Sequence, residues 1–271
     1  MSIELDVKKS VKLNNGFSVQ FIASNACMIN ASLNSGGTAE MARDFYEMVG
    51  YNIPWNNENA EWTDGDGENN TKSSWIFTTP NYPISTVAVA KIDTFGQSVT
   101  KEQAIANIKS ALDNNKPIWF AYYLATGEDW DTFGNFWSKQ DETAIINFDY
   151  GQGHTFTNSG GGHAVCCVGY NDDESDPSKH YWIMLNSWGN AKGNRPNGTF
   201  RVAMDTNYNA VLKDGDEDFQ MLWWYIMDTN FTNSVSKNAS FFMNMNNSKT
   251  DSDSIKISNS YSGSDPKTVS L

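Results

Sequence analysis

"GGGHAVCCVGYNDDE" (Gly160–Glu174) and, a polar turn later, "YWIMLNSWGN" (Tyr181–Asn190) decide how the chain is read. Each is a short apolar run bounded by turn residues, the signature of a sheet strand. The first begins on a histidine, His163, that leaves a glycine run. The second ends on Asn-Ser-Trp-Gly, so a histidine stands at the mouth of one strand and an asparagine at the end of the next.

Further strands are expected on both sides. "TFRVAM" (199–204) and "MLWWYIMD" (221–228) follow, and "IWFAYYL" (118–124) precedes. The stretch "WIFTTPNYPISTVAVAKI" from Trp75 onward alternates and is β-branched, so it reads as extended chain. Two helices stand out. "TAEMARDFYEMVG" has Thr38 as N-cap, Gly50 at the C-terminal cap, and Met41, Phe45, Met48 and Val49 at helical spacing. "TKEQAIANIKSALDNN" opens with a Thr100/Gln103 capping box and carries Ile105, Ile108 and Leu112 as its buried stripe. Between them, residues 51–74 form a polar, turn-rich loop. Helices first and strands in succession afterwards make an α+β pattern. After about Asn230 the chain turns Ser/Asn/Asp-rich with few core residues, which reads as a polar tail or linker over 231–271.

Composition narrows the function. The 271 residues carry a formal net charge of −13, which argues against nucleic acid as a partner because phosphate binding needs clustered Lys and Arg. With 10 Trp, 11 Tyr and 15 Phe, the core is expected to be built on rings. No apolar run approaches the ~18 residues of a membrane span, and the first residues have no signal-peptide h-region. Of the three cysteines, Cys166 and Cys167 are adjacent and should point to opposite faces of a strand, so no disulfide framework is readable. The acidic runs at Asp64 and Asp214 lack the EF-hand glycine and terminal glutamate and read as solvated loops, with no metal site expected.

"GGGHAVCCVGYNDD…HYWIMLNSWGNAKGNRPNGTFRV" resembles the C-terminal half of a papain-family cysteine peptidase. "SVQFIASNAC…NSGGTAEMARDFY" is similar to the cleft-forming stretch of that family, and the likeness covers roughly residues 3–230. It implies a two-lobe papain-like fold: a helical lobe over 1–84 with a truncated central helix, and an antiparallel, barrel-like lobe over 85–230. It implies His163 as general base, Asn186 as the group that orients it, and Trp188 as the cover over that pair. Gly36 and Gly37 are implied as cleft wall, though they read equally as a turn before the Thr38 helix. Alone, His163 would read as a satisfied strand-edge histidine; with Asn186 and Trp188 in register it reads as part of a catalytic site. The substrate would be a peptide or protein, with no cofactor, in a secreted or extracellular setting.

The nucleophile departs from the family pattern. The "C-G-S-C-W" helix start of the family has no counterpart here, and the family position of the catalytic Cys would fall upstream of Met1. Cys27 aligns with a disulfide-forming residue and reads as a buried free thiol; Cys166 and Cys167 are poorly placed to replace the nucleophile. The expectation is therefore an incomplete peptidase chain inactive alone, the N-terminal segment with its nucleophile lost, cleaved off or supplied by another polypeptide. The alternative is a pseudopeptidase or peptide-binding scaffold.

Overall fold

A computed structural model describes residues 17–29, 37–63, 71–173, 175–231, 258–260 and 266–268. Its elements, in chain order, are α1 (Val19–Ser24), α2 (Ala39–Val49), β1 (Tyr51–Asn52), β2 (Tyr82–Lys91), α3 (Lys101–Asp113) and β3 (Ile118–Leu124). They continue with α4 (Gly127–Lys139), β4 (Ile145–Ile146), β5 (Gly161–Asn171), β6 (Tyr181–Leu185), β7 (Thr199–Ala203), β8 (Val211–Asp214), β9 (Glu217–Gln220) and β10 (Leu222–Phe231). The short strands β11 (Ser258–Ser260) and β12 (Pro266–Thr268) pair antiparallel; the rest of the expected polar tail beyond Phe231 lies outside the described residues.

Local chemistry explains the helix ends. Thr38 accepts a hydrogen bond from the Met41 amide and Gly50, at φ 74°, closes α2 in the left-handed conformation that glycine takes without strain. Thr100 and Gln103 form the expected reciprocal capping box on α3. The inward faces differ from expectation. On α2 the buried residues are Ala39, Ala42 and Phe45, whereas Met48 is 57% exposed; alanines let the helix lie close to β2. On α3, Ala104 and Ala111 join Ile108 and Leu112 inside, and Ile105 is only half-buried.

The helix α4 was not expected. Its own capping box, Thr126 with Asp129, is legible in the sequence, and Phe133, Phe136 and Trp137 form its buried face. The acidic run at Asp214 also proves to be structured: β8 and β9 form a hairpin that turns through Gly215 at φ 62°.

The main sheet has eight strands in the order β1-β2-β10-β3-β5-β6-β7-β4, antiparallel except for the β4–β7 pair. This is the expected α+β class. Pairing runs from edge strand β1 to edge strand β4, so the sheet is open and not a closed barrel. A smaller core gathers Phe21, Phe45, Ile53 and Ile76, and a larger one gathers Phe120, Tyr122, Phe133, Phe148, Trp182, Phe200 and Trp224. β2 crosses the boundary expected at residue 84.

Phe120 is fully buried, its ring centroid 4.3 Å from that of Trp224. Phe120→Ala should cost about 3–5 kcal/mol in urea unfolding, a large share of a domain's stability of roughly 5–15 kcal/mol. Met48→Ala, on the exposed face of α2, should stay within about 0.5 kcal/mol.

Candidate active site

β5 lies between β3 and β6 in register Tyr122↔His163 on one side and Cys166↔Leu185 on the other. Because β5 and β6 run antiparallel, the first turn of chain after β6 comes level with the start of β5. That places Asn186 beside His163, and His163 Nε2 lies 2.9 Å from Asn186 Oδ1.

The same oxygen accepts the backbone N–H of Ser187 at 2.8 Å. A backbone amide can only donate, so the atom facing both groups must be the carbonyl oxygen of Asn186 and not its amide nitrogen. His163 Nε2 must then carry a proton, and in the neutral ring the free lone pair sits on Nδ1. Asn186 is 3% exposed, and its own N–H is held by the Gly198 carbonyl at 2.9 Å. Its Nδ2 finds no partner among the described residues, an unusual state for a buried amide.

Aromatic rings enclose the pair. The Trp188 ring lies over the imidazole with centroids 4.6 Å apart and planes 32° from parallel. Tyr122 meets the imidazole edge-to-face at 5.7 Å. Trp188 is 43% exposed, so one face looks to solvent while the other covers His163. Its position is fixed from α4, where Phe133 and Trp137 pack against it at 5.6 and 6.1 Å. Burial lowers the His163 pKa below its ordinary value, because desolvation disfavours the imidazolium; the Asn186 hydrogen bond pulls the other way.

The cysteines are elsewhere. Cys167 is fully buried in the main core, and Cys166 points to the opposite face among Val168, Ile183 and Leu185. Burial pushes the Cys166 thiol up to about 12 and the Cys167 thiol well above its ordinary value, so both stay protonated. Cys27, expected to be buried, is exposed on a 3-10 turn over Ala26–Ile29. Among the described residues no cysteine hydrogen-bonds to His163, and no group of three or more His, Cys, Asp and Glu could hold a metal.

Gly36 lies outside the described residues, and Gly37 is a half-buried residue just ahead of the Thr38 cap. The glycine run before His163 packs on its own chain more than it opens a surface. A Cβ at Gly160 would fall 2.3 Å from the Ala125 carbonyl oxygen, and one at Gly162 2.6 Å from the Tyr123 ring. Tyr122, Phe133 and Trp137 were not expected at this site. Their aromatic spacing around the Thr126 cap was the available signal.

The His163–Asn186 pair under Trp188 thus sits between the start of β5 and the chain just past β6, in a mostly antiparallel α+β sheet. Residues 81–215 match the family model "Papain family cysteine protease", and the chain belongs to that family. It is 31% identical over 143 residues to the uncharacterized peptidase C1-like protein L477 of Acanthamoeba polyphaga mimivirus, covering 52% of this chain and 37% of that protein. It is 35% identical over 74 residues to the viral cathepsin of Lymantria dispar multicapsid nuclear polyhedrosis virus, covering 27% of this chain and 19% of that one. The chain thus spans well under half the length of these relatives. The crystal structure of the SERA5 proenzyme of Plasmodium falciparum aligns over 80% of this chain and 54% of its own, at 13% identity and a TM-score of 0.42, too loosely to bear on the site.

Two measurements follow from the burial of His163. Trp188→Ala admits water to the imidazole, so its NMR titration midpoint should rise toward the ordinary value. Linkage fixes the second sign: with the folded pKa below the unfolded one, the unfolded state binds more protons between the two. The His163 contribution to stability is therefore whole above about pH 6.5 and is lost as pH falls to the folded midpoint. His163→Gln should flatten that part of the stability–pH curve measured by urea unfolding.

Proposed function

We propose that this chain carries the base half of a papain-type cysteine peptidase site in a two-lobe papain-like fold, and that its substrates are peptides or proteins. The observation that carries this reading is the doubly occupied Asn186 Oδ1, which leaves His163 Nδ1 as the free basic atom. In this reading Nδ1 takes the proton of a cysteine thiol, and Asn186 Oδ1 stabilises the resulting imidazolium through its Nε2–H. The thiolate attacks the scissile carbonyl, and the imidazolium returns the proton to the leaving amine. Water then attacks the acyl carbon as His163 takes its proton, and the C–S bond breaks to release the carboxylic acid and the thiolate. Trp188 keeps bulk water from the His163–Asn186 bond, and Gly36 and Gly37 line the cleft. The reading keeps a division into two lobes near residue 84 and takes 231–271 as a tail or linker.

The nucleophile, on this reading, comes from a separate segment, since Cys166 and Cys167 are protonated and enclosed and the exposed Cys27 makes no hydrogen bond to His163 among the described residues. That same observation favours a second reading, a pseudopeptidase that retains a peptide cleft without a nucleophile.

An active-site-directed epoxide separates the readings. The chain alone should show no labelling of Cys27, Cys166 or Cys167 that depends on His163. A longer chain with an upstream cysteine helix, native or grafted from a relative, should become labelled, and His163→Ala should abolish at least ~99% of the labelling rate, since members of such a unit act together. Labelling of Cys27 that vanishes with His163→Ala would contradict an external nucleophile. No labelling of any extended chain would favour the pseudopeptidase.

A further inference from the structure

Arg195 is the one arginine of the chain that is fully buried, and no carboxylate forms an ion pair with it among the described residues. Its guanidinium is satisfied by three carbonyl oxygens. Nε donates to Trp137 O at 2.9 Å, Nη2 to Phe136 O at 3.0 Å and Nη1 to Thr199 O at 3.0 Å. The first two belong to the last turn of α4, where unsatisfied carbonyls carry the negative end of the helix dipole. The guanidinium also lies 4.5 and 4.9 Å from the centroids of the Phe136 and Trp137 rings.

This fork joins two pieces of the site that are far apart in sequence. Arg195 sits in the loop between β6 and β7, which also carries Asn186 and Trp188. Its carbonyl accepts the Gly198 amide, and the Gly198 carbonyl in turn accepts the Asn186 amide. The same loop is fastened to α4 by Asn194 Nδ2, which donates to Ser138 O at 2.7 Å. Just beyond α4, Glu142 accepts from Asn197 N and Nδ2 at 2.8 and 2.9 Å. On its inner face α4 presents Phe133 and Trp137 to Trp188.

We propose that Arg195 is a positioning residue: by tying the last turn of α4 to the β6–β7 loop, it holds Trp137 and Phe133 against Trp188 and so keeps Trp188 over His163. The inference rests on reading His163 and Asn186 as the base half of the site. A flat fork with fixed donor directions is needed for the task, because a lysine ammonium is a point charge that cannot reach carbonyls on two elements in the same way. The cover over the imidazole is thus set from a buried cation that touches neither His163 nor Asn186 in any hydrogen bond.

The test is NMR of the His163 ring in the full chain, assigned through His163→Gln against His154 and His180. The readouts are its titration midpoint and the upfield ring-current shift that Trp188 imposes. Arg195→Lys should lose the upfield shift and raise the midpoint toward that of Trp188→Ala. Trp137→Leu, which keeps the carbonyl that Arg195 Nε binds but removes the ring packed on both Arg195 and Trp188, should do the same, and it serves as the deciding variant if Arg195→Lys does not fold. Ile108→Val, in the buried face of α3, should lower the unfolding midpoint while leaving both readouts unchanged. A folded Arg195→Lys or Trp137→Leu with the parent His163 shift and midpoint would overturn the proposal, as would the same displacement in Ile108→Val. Asn186→Ala separates the two layers. If it moves the His163 midpoint and the positioning variants do not, only the role of Arg195 fails. If Asn186→Ala also leaves His163 unmoved, the reading of the pair itself fails.

Discussion

Asn186 Oδ1 has two acceptor directions, and both are taken, one by the Ser187 amide and one by His163 Nε2. The first donor is backbone and cannot be anything else, so it fixes which way the side-chain amide faces. The second then has no choice but to bring a proton. From this single constraint follow the tautomer of the imidazole and the position of its free lone pair. The unsatisfied Asn186 Nδ2 is the cost: a buried amide group left without a partner is typically about 1–3 kcal/mol unfavourable.

The fold supplies the geometry around that constraint. Antiparallel pairing of β5 and β6 brings the start of one strand level with the end of the other, and the Gly198 carbonyl holds Asn186 at its post by its backbone. The aromatic enclosure then sets the electrostatics. Tyr122 from β3 and Trp188 from the loop after β6 shield the ring in part from water, and Phe133 and Trp137 from α4 pack against Trp188. Burial and the Asn186 bond act on His163 in opposite directions, with burial the larger. With its pKa lowered, the imidazole is mostly neutral at neutral pH.

Much of this was legible in the residues themselves. Strand period and bounding turns marked β3, β5, β6, β7 and β10, and Thr38, Gly50, Thr100 and Gln103 marked the ends of α2 and α3. What escaped was set by packing. The helix α4 has Gly127 and Gly134 within it and three acids in its first five residues, so its pattern is weak although its capping box is present. Arg195 stands in a run of Gly, Asn and Pro that reads as solvated turn; only the carbonyls of α4, remote in sequence, make it a core residue. The inward face of α2 shows the same limit: beside Phe45, proximity to β2 selects Ala39 and Ala42, which the spacing of the larger apolar residues does not reveal. Whether a sheet closes depends on how its edges meet, and β1 and β4 are two-residue strands with little sequence signal.

The central claim is the protonation pattern of one ring, and it is read most directly from the ¹⁵N shifts of His163 in the intact chain at a pH above its midpoint. The account predicts a protonated, pyrrole-like Nε2 that couples to Asn186, with a bare, pyridine-like Nδ1. A proton on Nδ1 with Nε2 bare would contradict it, because Asn186 would then have to present its amide nitrogen toward a backbone N–H that can only donate.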